Sequence, residues 1–514
     1  MQAGLPMRTK IVVIGAGFGG LGMGSALKRA GEKDFLILEK RSTVGGVWRD
    51  STYPGCTCDV PSHLYSFSFA PYKSRQKHVP PQQQILIYLE EVAADEGLLS
   101  HLHLDTKVAQ ARFREDKSDW EVITATNDLI YAEVVIFAVG QLHRPNFPNL
   151  PGLDDFHGPV LHPAKWDRSV DFCGKHISII GTGSGAGQMM PFLASVASKV
   201  TVYQRSPHWV LPKLSSDFGC VGRALLRIPG AHRAYRKTLH YAADVLLSPI
   251  PRLNLWRCVV ETYAREYLRT EIADKNIRKK LSPKYPLGTK RILFDSGFYT
   301  ALTHSNVQLV TEPIRSASEE GLETDEGIRP TDVIICATGF RTSEFLVPMK
   351  VQGRNGRLLN EDWQSGAEAF MGLAIHGYPN LFLIAGPNSF NPAGSNPEMK
   401  EVQISYIVRC LHWKKICDAP AIEVSLKATG EYQKWLEEKM NKTIWQDSVD
   451  SWYKHESEKI TNPWPDSLRV FERLLRREPS HSFDRFEPHG QYLQVNAKYD
   501  IEMALSKQGL IDSM

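Results

Sequence analysis

No stretch of this sequence is apolar for anything near the roughly 18–20 residues that a bilayer-spanning helix needs, so a membrane-embedded chain is not expected. Cysteine is sparse, eight among 514 residues. The eight form no metal-spaced pairs, and the opening Met1 to Arg8 is too short and polar for a secretory signal. Both points lead to the expectation of a reduced, cytoplasmic protein without a metal site. Charge of one sign is lacking too: the formal net charge is +4, which gives no electrostatic case for nucleic-acid binding. The remainder, 42% apolar and 23% charged, fits a soluble globular chain with ample material for a large core. Its length predicts two or three domains.

Glycine is placed rather than scattered. Lys10-Ile11-Val12-Val13-Ile14 reads as a short buried strand, and Gly15-Ala16-Gly17-Phe18-Gly19-Gly20 follows it directly, opening a helix. Such glycines make a tight turn, let backbone N–H groups approach a pyrophosphate, and close helix against strand. The helix N-terminus then presents its positive end to the phosphates. The second strand, Phe35-Leu36-Ile37-Leu38, ends at Glu39, a carboxylate able to accept from ribose hydroxyls and to repel a 2′-phosphate. The same unit recurs. His176 to Ile180 reads as a strand, Gly181-Thr182-Gly183-Ser184-Gly185-Ala186 is the variant turn, and the strand Val200 to Gln204 ends at Arg205. Glu39 stands 24 residues beyond Gly15, and Arg205 stands 24 beyond Gly181. An acid closes one unit and a permanent cation the other, so the first is expected to take FAD and the second NADPH.

Between the units lies Phe156-His157-Gly158-Pro159-Val160-Leu161-His162-Pro163-Ala164-Lys165-Trp166-Asp167, the pattern F-x-G-x-x-x-H-x-x-x-W-D. Upstream, Gly45-Gly46-Val47-Trp48 continues to Tyr53-Pro54-Gly55 and Asp59 in the pattern G-G-x-W-x-x-x-x-Y-P-G-x-x-x-D. Together these resemble the signatures of the type I Baeyer–Villiger monooxygenases, over residues 8 to about 475. The resemblance implies an α/β fold of two doubly wound, Rossmann-like dinucleotide domains. FAD is then expected on a discontinuous domain, 1–150 and 336–514. A linker, 151–170, leads to an NADP domain, 171–335, with a helical lobe at 215–285. It implies ketone oxidation to an ester or lactone by NADPH and O2 through a C4a-peroxyflavin.

The resemblance also implies roles. Gly15, Gly17, Gly20, Glu39, Gly46, Trp48, Asp59 and Tyr65 serve the FAD, with Val108 meeting the adenine end through its backbone. Gly181, Thr182, Gly183, Ser184, Gly185, Gln188, Arg205, Ser206 and Lys290 serve the NADPH. Arg291 and Asp59 are the expected catalytic residues, the guanidinium stabilising anions that form during oxygen insertion. His162 and Trp166 are expected to couple the domains from the hinge. Two other functions stay open: an N- or S-oxygenating flavin monooxygenase, whose relatives carry Tyr or Phe in place of Trp166, and a non-catalytic dinucleotide-binding protein. A redox disulfide is not expected, because Cys56 and Cys58 are separated by a single residue.

Two regions stand apart. From Gly219 to Lys284 there are fourteen Lys or Arg against five Asp or Glu, with apolar residues at helical spacing. That composition is read first as a helical lobe with a solvated basic face; the alternative is a surface that touches a membrane peripherally. After Gly386-Pro387-Asn388, where relatives carry a Gly-His pair and an apolar stretch, this chain has Ala393, Gly394 and Asn396-Pro397-Glu398. That departure is expected to bear on which ketone is accepted. The tail from Phe483 to Met514 matches no pattern of the family.

Overall fold

The computed structural model describes residues 5–72, 78–213, 217–228, 230–446, 451–486 and 492–493. Most of the unmatched tail and residues 215 and 216 at the edge of the lobe lie outside the described residues.

Two sheets organise the molecule, the first mixed, with Asp119–Thr124 antiparallel to both its neighbours, and the second parallel. In the first, strands run in the order Lys350–Gln352, Val108–Arg114, Asp119–Thr124, Leu129–Phe137, Arg8–Ile14, Phe35–Leu38, Leu102–His103, and Leu381–Leu383 also pairs with Leu129–Phe137. Arg8–Ile14 and Phe35–Leu38 are parallel neighbours, and residues 11–14 and 35–38 are all buried, as Val- and Ile-rich strands covered on both faces should be. One face is covered by helices Phe18–Arg29, Gln82–Asp95 and Asn396–Ile416 around Leu21, Leu89 and Ile407. The other face packs Val12, Trp120 and Tyr378.

The second sheet is parallel throughout: Val307–Val310, Lys199–Tyr203, His176–Ile180, Val333–Cys336, Val160–Leu161. Its edge strand comes from the segment read in the sequence as a linker. Two residues are too few to show a strand's alternation, so the pairing was not visible there. Around this sheet lie helix Ser184–Val196 and a lobe of helices Cys220–Leu225, Ala231–Leu246, Asn254–Glu271 and Lys275–Leu281. A further two-stranded parallel ribbon, Val210–Pro212 with Leu293–Asp295, packs Val210 and Leu293 into the core of the second sheet.

Candidate active site

The two glycine-rich turns have the same backbone. Gly15 has φ +104° and donates its N–H to Leu38 O at 2.8 Å; Gly181 has φ +105° and donates to Tyr203 O at 2.9 Å. A Cβ on Gly15 would lie 2.7 Å from Ala138 O, and one on Gly181 would lie 2.6 Å from Ala337 O. Glycine is therefore required at both by φ and by space. On Gly20 a Cβ would fall 1.8 Å from Gly15 O, while Gly17 and Gly46 face each other closely. Gly183, by contrast, has nothing within 4 Å of its Cβ position, and Gly185 faces Pro163. Thr182, between Gly181 and Gly183, is buried. The helices that start after Gly17 and Gly183 receive no side-chain cap, leaving their first N–H groups available to an anion. Ser184 is the first residue of the second helix.

Glu39 is buried, and each oxygen accepts one N–H, from Ala16 at 2.8 Å and Arg41 at 3.0 Å. A carboxylate has about four lone-pair sites, so two remain for ribose hydroxyls. Trp48 donates its indole N–H to Tyr65 OH at 3.1 Å, and Tyr65 meets Phe18 edge-on, closing the flavin-side loop over the first turn. Val108 opens strand Val108–Arg114 and is buried. These features fit a dinucleotide on the first unit. On the second, Arg205 is exposed just past strand Lys199–Tyr203, and Lys290 Nζ donates to Ser206 Oγ at 2.9 Å, a cationic donor set that fits a phosphate.

Arg291, next in sequence to Lys290, turns the other way. Its guanidinium lies 3.6 Å from Asp59 Oδ2 and 5.7 Å over the ring of Phe390, with Trp452 against the same ring. Asp59 is nearly buried and Arg291 about one-third exposed, 32%. Adjacent residues 290 and 291 thus address the two units separately.

Gln188, expected among the residues that serve the NADPH, makes its hydrogen bonds to the loop that carries Asp59. Oε1 accepts from Tyr53 OH at 2.9 Å and Thr57 N–H at 3.3 Å; Nε2 donates to Thr57 O at 3.0 Å and Asp59 Oδ1 at 3.3 Å. All four capacities of the amide are used, so Gln188 here positions Asp59 across the two units.

Lys213 escaped the sequence reading. Pro212 is in register with Asp295, which brings Lys213 beside Ser296. Its Nζ lies 3.3 Å from Ser296 Oγ and 3.4 Å from Thr57 Oγ1. Burial lowers its pKa, against which Asp59, Cys58, Cys56 and Asp295 act to raise it. A small cavity lies between this cluster and the second turn, lined by Asp59, Ser184, Gly187, Gln188, Ser296 and Phe298. A Lys on a short parallel ribbon has no local signal that would single it out.

The fingerprint between the units is now explicable residue by residue. Phe156 packs in the core with Tyr203 and Ile334, and a Cβ on Gly158 would meet Asp332 O at 2.2 Å. His162 Nε2 contacts Gly339 O at 2.9 Å while Nδ1 accepts the Ala164 N–H at 3.1 Å. Burial lowers its pKa to about 4, so the ring is neutral and fixed as the Nε2–H tautomer. Trp166 stacks on Phe172 of the second unit and meets Tyr53 of the first edge-on. Asp167 closes a local turn on Ser169.

Cys56 and Cys58 are free and buried, with burial pushing their thiols up to about 11 and about 12. Neutral thiols of this kind are poor nucleophiles. Asn396-Pro397-Glu398, expected to bear on the ketone, belong to a helix start. Ser395 caps Asn396–Ile416, and Glu398 pairs with Arg236 at 3.1 Å and His240 at 3.3 Å on the lobe.

A family model described as pyridine nucleotide-disulphide oxidoreductase matches residues 12–217. A Baeyer-Villiger monooxygenase of Streptomyces coelicolor is 36% identical over 95% of this chain and 94% of its own. A Baeyer-Villiger monooxygenase of Pseudomonas aeruginosa is 34% identical over 91% of this chain and 90% of its own. Among solved structures, an oxidized steroid monooxygenase bound to NADP superposes with a TM-score of 0.81 at 28% identity, covering 91% of this chain and 97% of that one. The cyclohexanone monooxygenase from Rhodococcus sp. Phi1 bound to NADP+ does so at 0.81 and 26%, covering 92% and 97%. Full-length identity above 30%, the doubly wound fold and the intact fingerprint agree: the chain belongs to the Baeyer–Villiger monooxygenases.

Proposed function

We propose that this protein uses NADPH and O2 to convert a ketone to an ester or lactone, with FAD on the first unit and NADPH on the second. The observation that carries this reading is the split of residues 290 and 291, one side chain toward Ser206 and the other toward Asp59. Bound FAD, reduced by NADPH, supplies the activated oxygen. The chain's own residues do the rest. Gly15, Gly17, Gly20 and the free N–H groups beyond them hold one pyrophosphate, and Glu39 holds the ribose; Gly46, Trp48, Tyr65 and Val108 line the same cofactor. Gly181, Thr182, Gly183, Ser184 and Gly185 hold the other pyrophosphate, and Arg205, Ser206 and Lys290 the 2′-phosphate.

Arg291 is the proposed catalytic cation. A guanidinium keeps its charge at any working pH, so it stabilises an attacking oxyanion and the tetrahedral adduct on the ketone carbon. Asp59 keeps that guanidinium in place, and Gln188 keeps Asp59 in place. The eight cysteines, none paired with another, support a reducing compartment, the cytoplasm. The test is a panel of ketones, sulfides and amines under 18O2 with NADPH. Esters carrying one labelled oxygen are expected. Exclusive sulfoxide or N-oxide formation would overturn the ketone reading, and substrate-independent NADPH oxidation without product would overturn catalysis.

A further inference from the structure

The outer face of the lobe is apolar where a solvated lobe should be polar. Ten of the nineteen large apolar side chains exposed among the described residues fall between Val221 and Tyr263, a small fraction of the chain. They recur at helical spacing. Val221, Leu225 and Ile228 follow one face of the first lobe helix and its exit, and Leu255, Val259 and Tyr263 follow one face of helix Asn254–Glu271. Leu255 is 83% exposed and Val221 74%. The indole N–H of Trp256 donates to Leu246 O at 2.7 Å, which sets the exposed end of helix Ala231–Leu246 beside the exposed Leu253 to Leu255 turn. Large exposed apolar patches on otherwise ordinary surfaces mark contact sites.

The charged residues of this stretch are mostly of one sign. From Gly219 to Tyr263 the only acids are Asp244 and Glu261, and both are engaged: Asp244 by Arg469 at 3.5 Å and the Leu468 N–H at 3.2 Å, Glu261 by the Leu287 N–H at 2.9 Å and by Arg257 at 3.9 Å and Arg265 at 3.8 Å. Arg227, Arg233 and Lys237 are exposed and have no acidic partner among the described residues. The inner side is already committed. Arg236 donates to His63 O and Ser66 O at 2.8 Å each and pairs with Glu398, fastening the lobe to the loop that carries Tyr65.

We propose that this face docks on an anionic phospholipid surface. Apolar side chains seat at the headgroup boundary while unpaired cations meet the lipid phosphates. No helix among the described residues is long and apolar enough to cross a bilayer, so the contact is peripheral. A second copy of the chain fits poorly, because an isologous contact would bring together two faces rich in Lys and Arg, with no unengaged acid between Gly219 and Tyr263 to offset the repulsion. Nucleic acid has no use for the apolar stripe.

The test is co-sedimentation of the FAD-loaded protein with phosphatidylcholine vesicles, with and without phosphatidylglycerol, at low and high salt. Wild type should pellet with the anionic vesicles at low salt and leave them as salt rises. Reversing three cations together, R227E, R233E and K237E, should lower the partition coefficient on the order of 100-fold. Leu255→Glu with Val259→Glu should lower it as well, although its cations are intact. All five positions are exposed, and bound FAD with an unchanged Tm verifies folding. Wild type failing to pellet, equal pelleting on uncharged vesicles, or variants pelleting like wild type would each overturn the proposal. So would a wild-type dimer in light scattering that the Leu255 and Val259 changes dissolve.

Discussion

The first and second dinucleotide units repeat one backbone and diverge in what they leave open. Gly15 and Gly181 share φ, hydrogen-bond partner type and the same close approach to a carbonyl from a neighbouring strand. Yet the first turn is packed from both sides, Gly20 on Gly15 and Gly17 on Gly46, whereas Gly183 faces open space. Glu39 is buried and folded back on its own turn while Arg205 is exposed. The backbone thus sets where a pyrophosphate lies in both. On the proposed function, the strand-end side chain selects the nucleotide, and packing around the turn separates a held cofactor from an exchanging one.

The largest effect that would break this comparison comes from one methyl group placed in each turn. Gly20→Ala sets a Cβ 1.8 Å from backbone, so FAD content should collapse, with a stability loss of several kcal/mol. Gly183→Ala meets no protein atom, so Tm and FAD content should hold while NADPH binding weakens. Absorbance per protein and thermal melting measure both; equal collapse would erase the asymmetry. Next, Arg205→Ala removes a charged hydrogen bond of roughly 1.5–3 kcal/mol, raising KM for NADPH about tenfold or more. KM for NADH should barely move, and an equal rise for both would take the phosphate role away from Arg205.

Smaller effects concern how the two units are held together. Trp166→Ala removes the ring between Phe172 and Tyr53 and should keep FAD bound while less product forms per NADPH oxidised. Normal coupling would remove the hinge role. Lys213→Met should lower coupling a few-fold, the scale of one lost hydrogen bond. Because burial lowers the Lys213 pKa, the folded state holds this proton less tightly than the unfolded chain does. Stability from this group therefore rises with pH through the window between the lowered value and the ordinary 10.5, and at neutral pH the charge opposes folding. Lys213→Met should leave Tm unchanged or higher at neutral pH. In wild type, coupling should fall as alkaline pH neutralises Lys213, and Lys213→Arg should resist that fall.

How much the sequence disclosed follows from how local each requirement is. The glycine turns and their strand ends were legible because a backbone constraint and a fixed spacing write themselves into neighbouring residues. Arg291 beside Asp59 joins residues far apart in the chain, and only family resemblance pointed to the pair. Gln188 and Lys213 both reach the Thr57–Asp59 loop from the second unit, contacts between residues far apart in the chain that no local pattern marks. Glu398 stood in a segment expected to shape the ketone site; its partners Arg236 and His240 lie on the lobe, a contact that no spacing encodes. Val160–Leu161 shows the lower limit, a strand too short to alternate.

The role proposed for Arg291 lies in oxygen insertion and not in hydride transfer. Stopped-flow reduction of bound FAD by NADPH, run beside ester yield for Arg291→Ala, separates the two steps. The prediction is FAD retained and reduced, NADPH consumed, and hydrogen peroxide in place of ester, with ester formation down about 100- to 1000-fold, the usual cost of a lost oxyanion donor. Lys at this position should restore little, lacking the planar fork, and Asp59→Ala should show a milder form of the defect. Ester formed by Arg291→Ala at near the wild-type rate would contradict the account and leave residues 290 and 291 as a phosphate clamp alone.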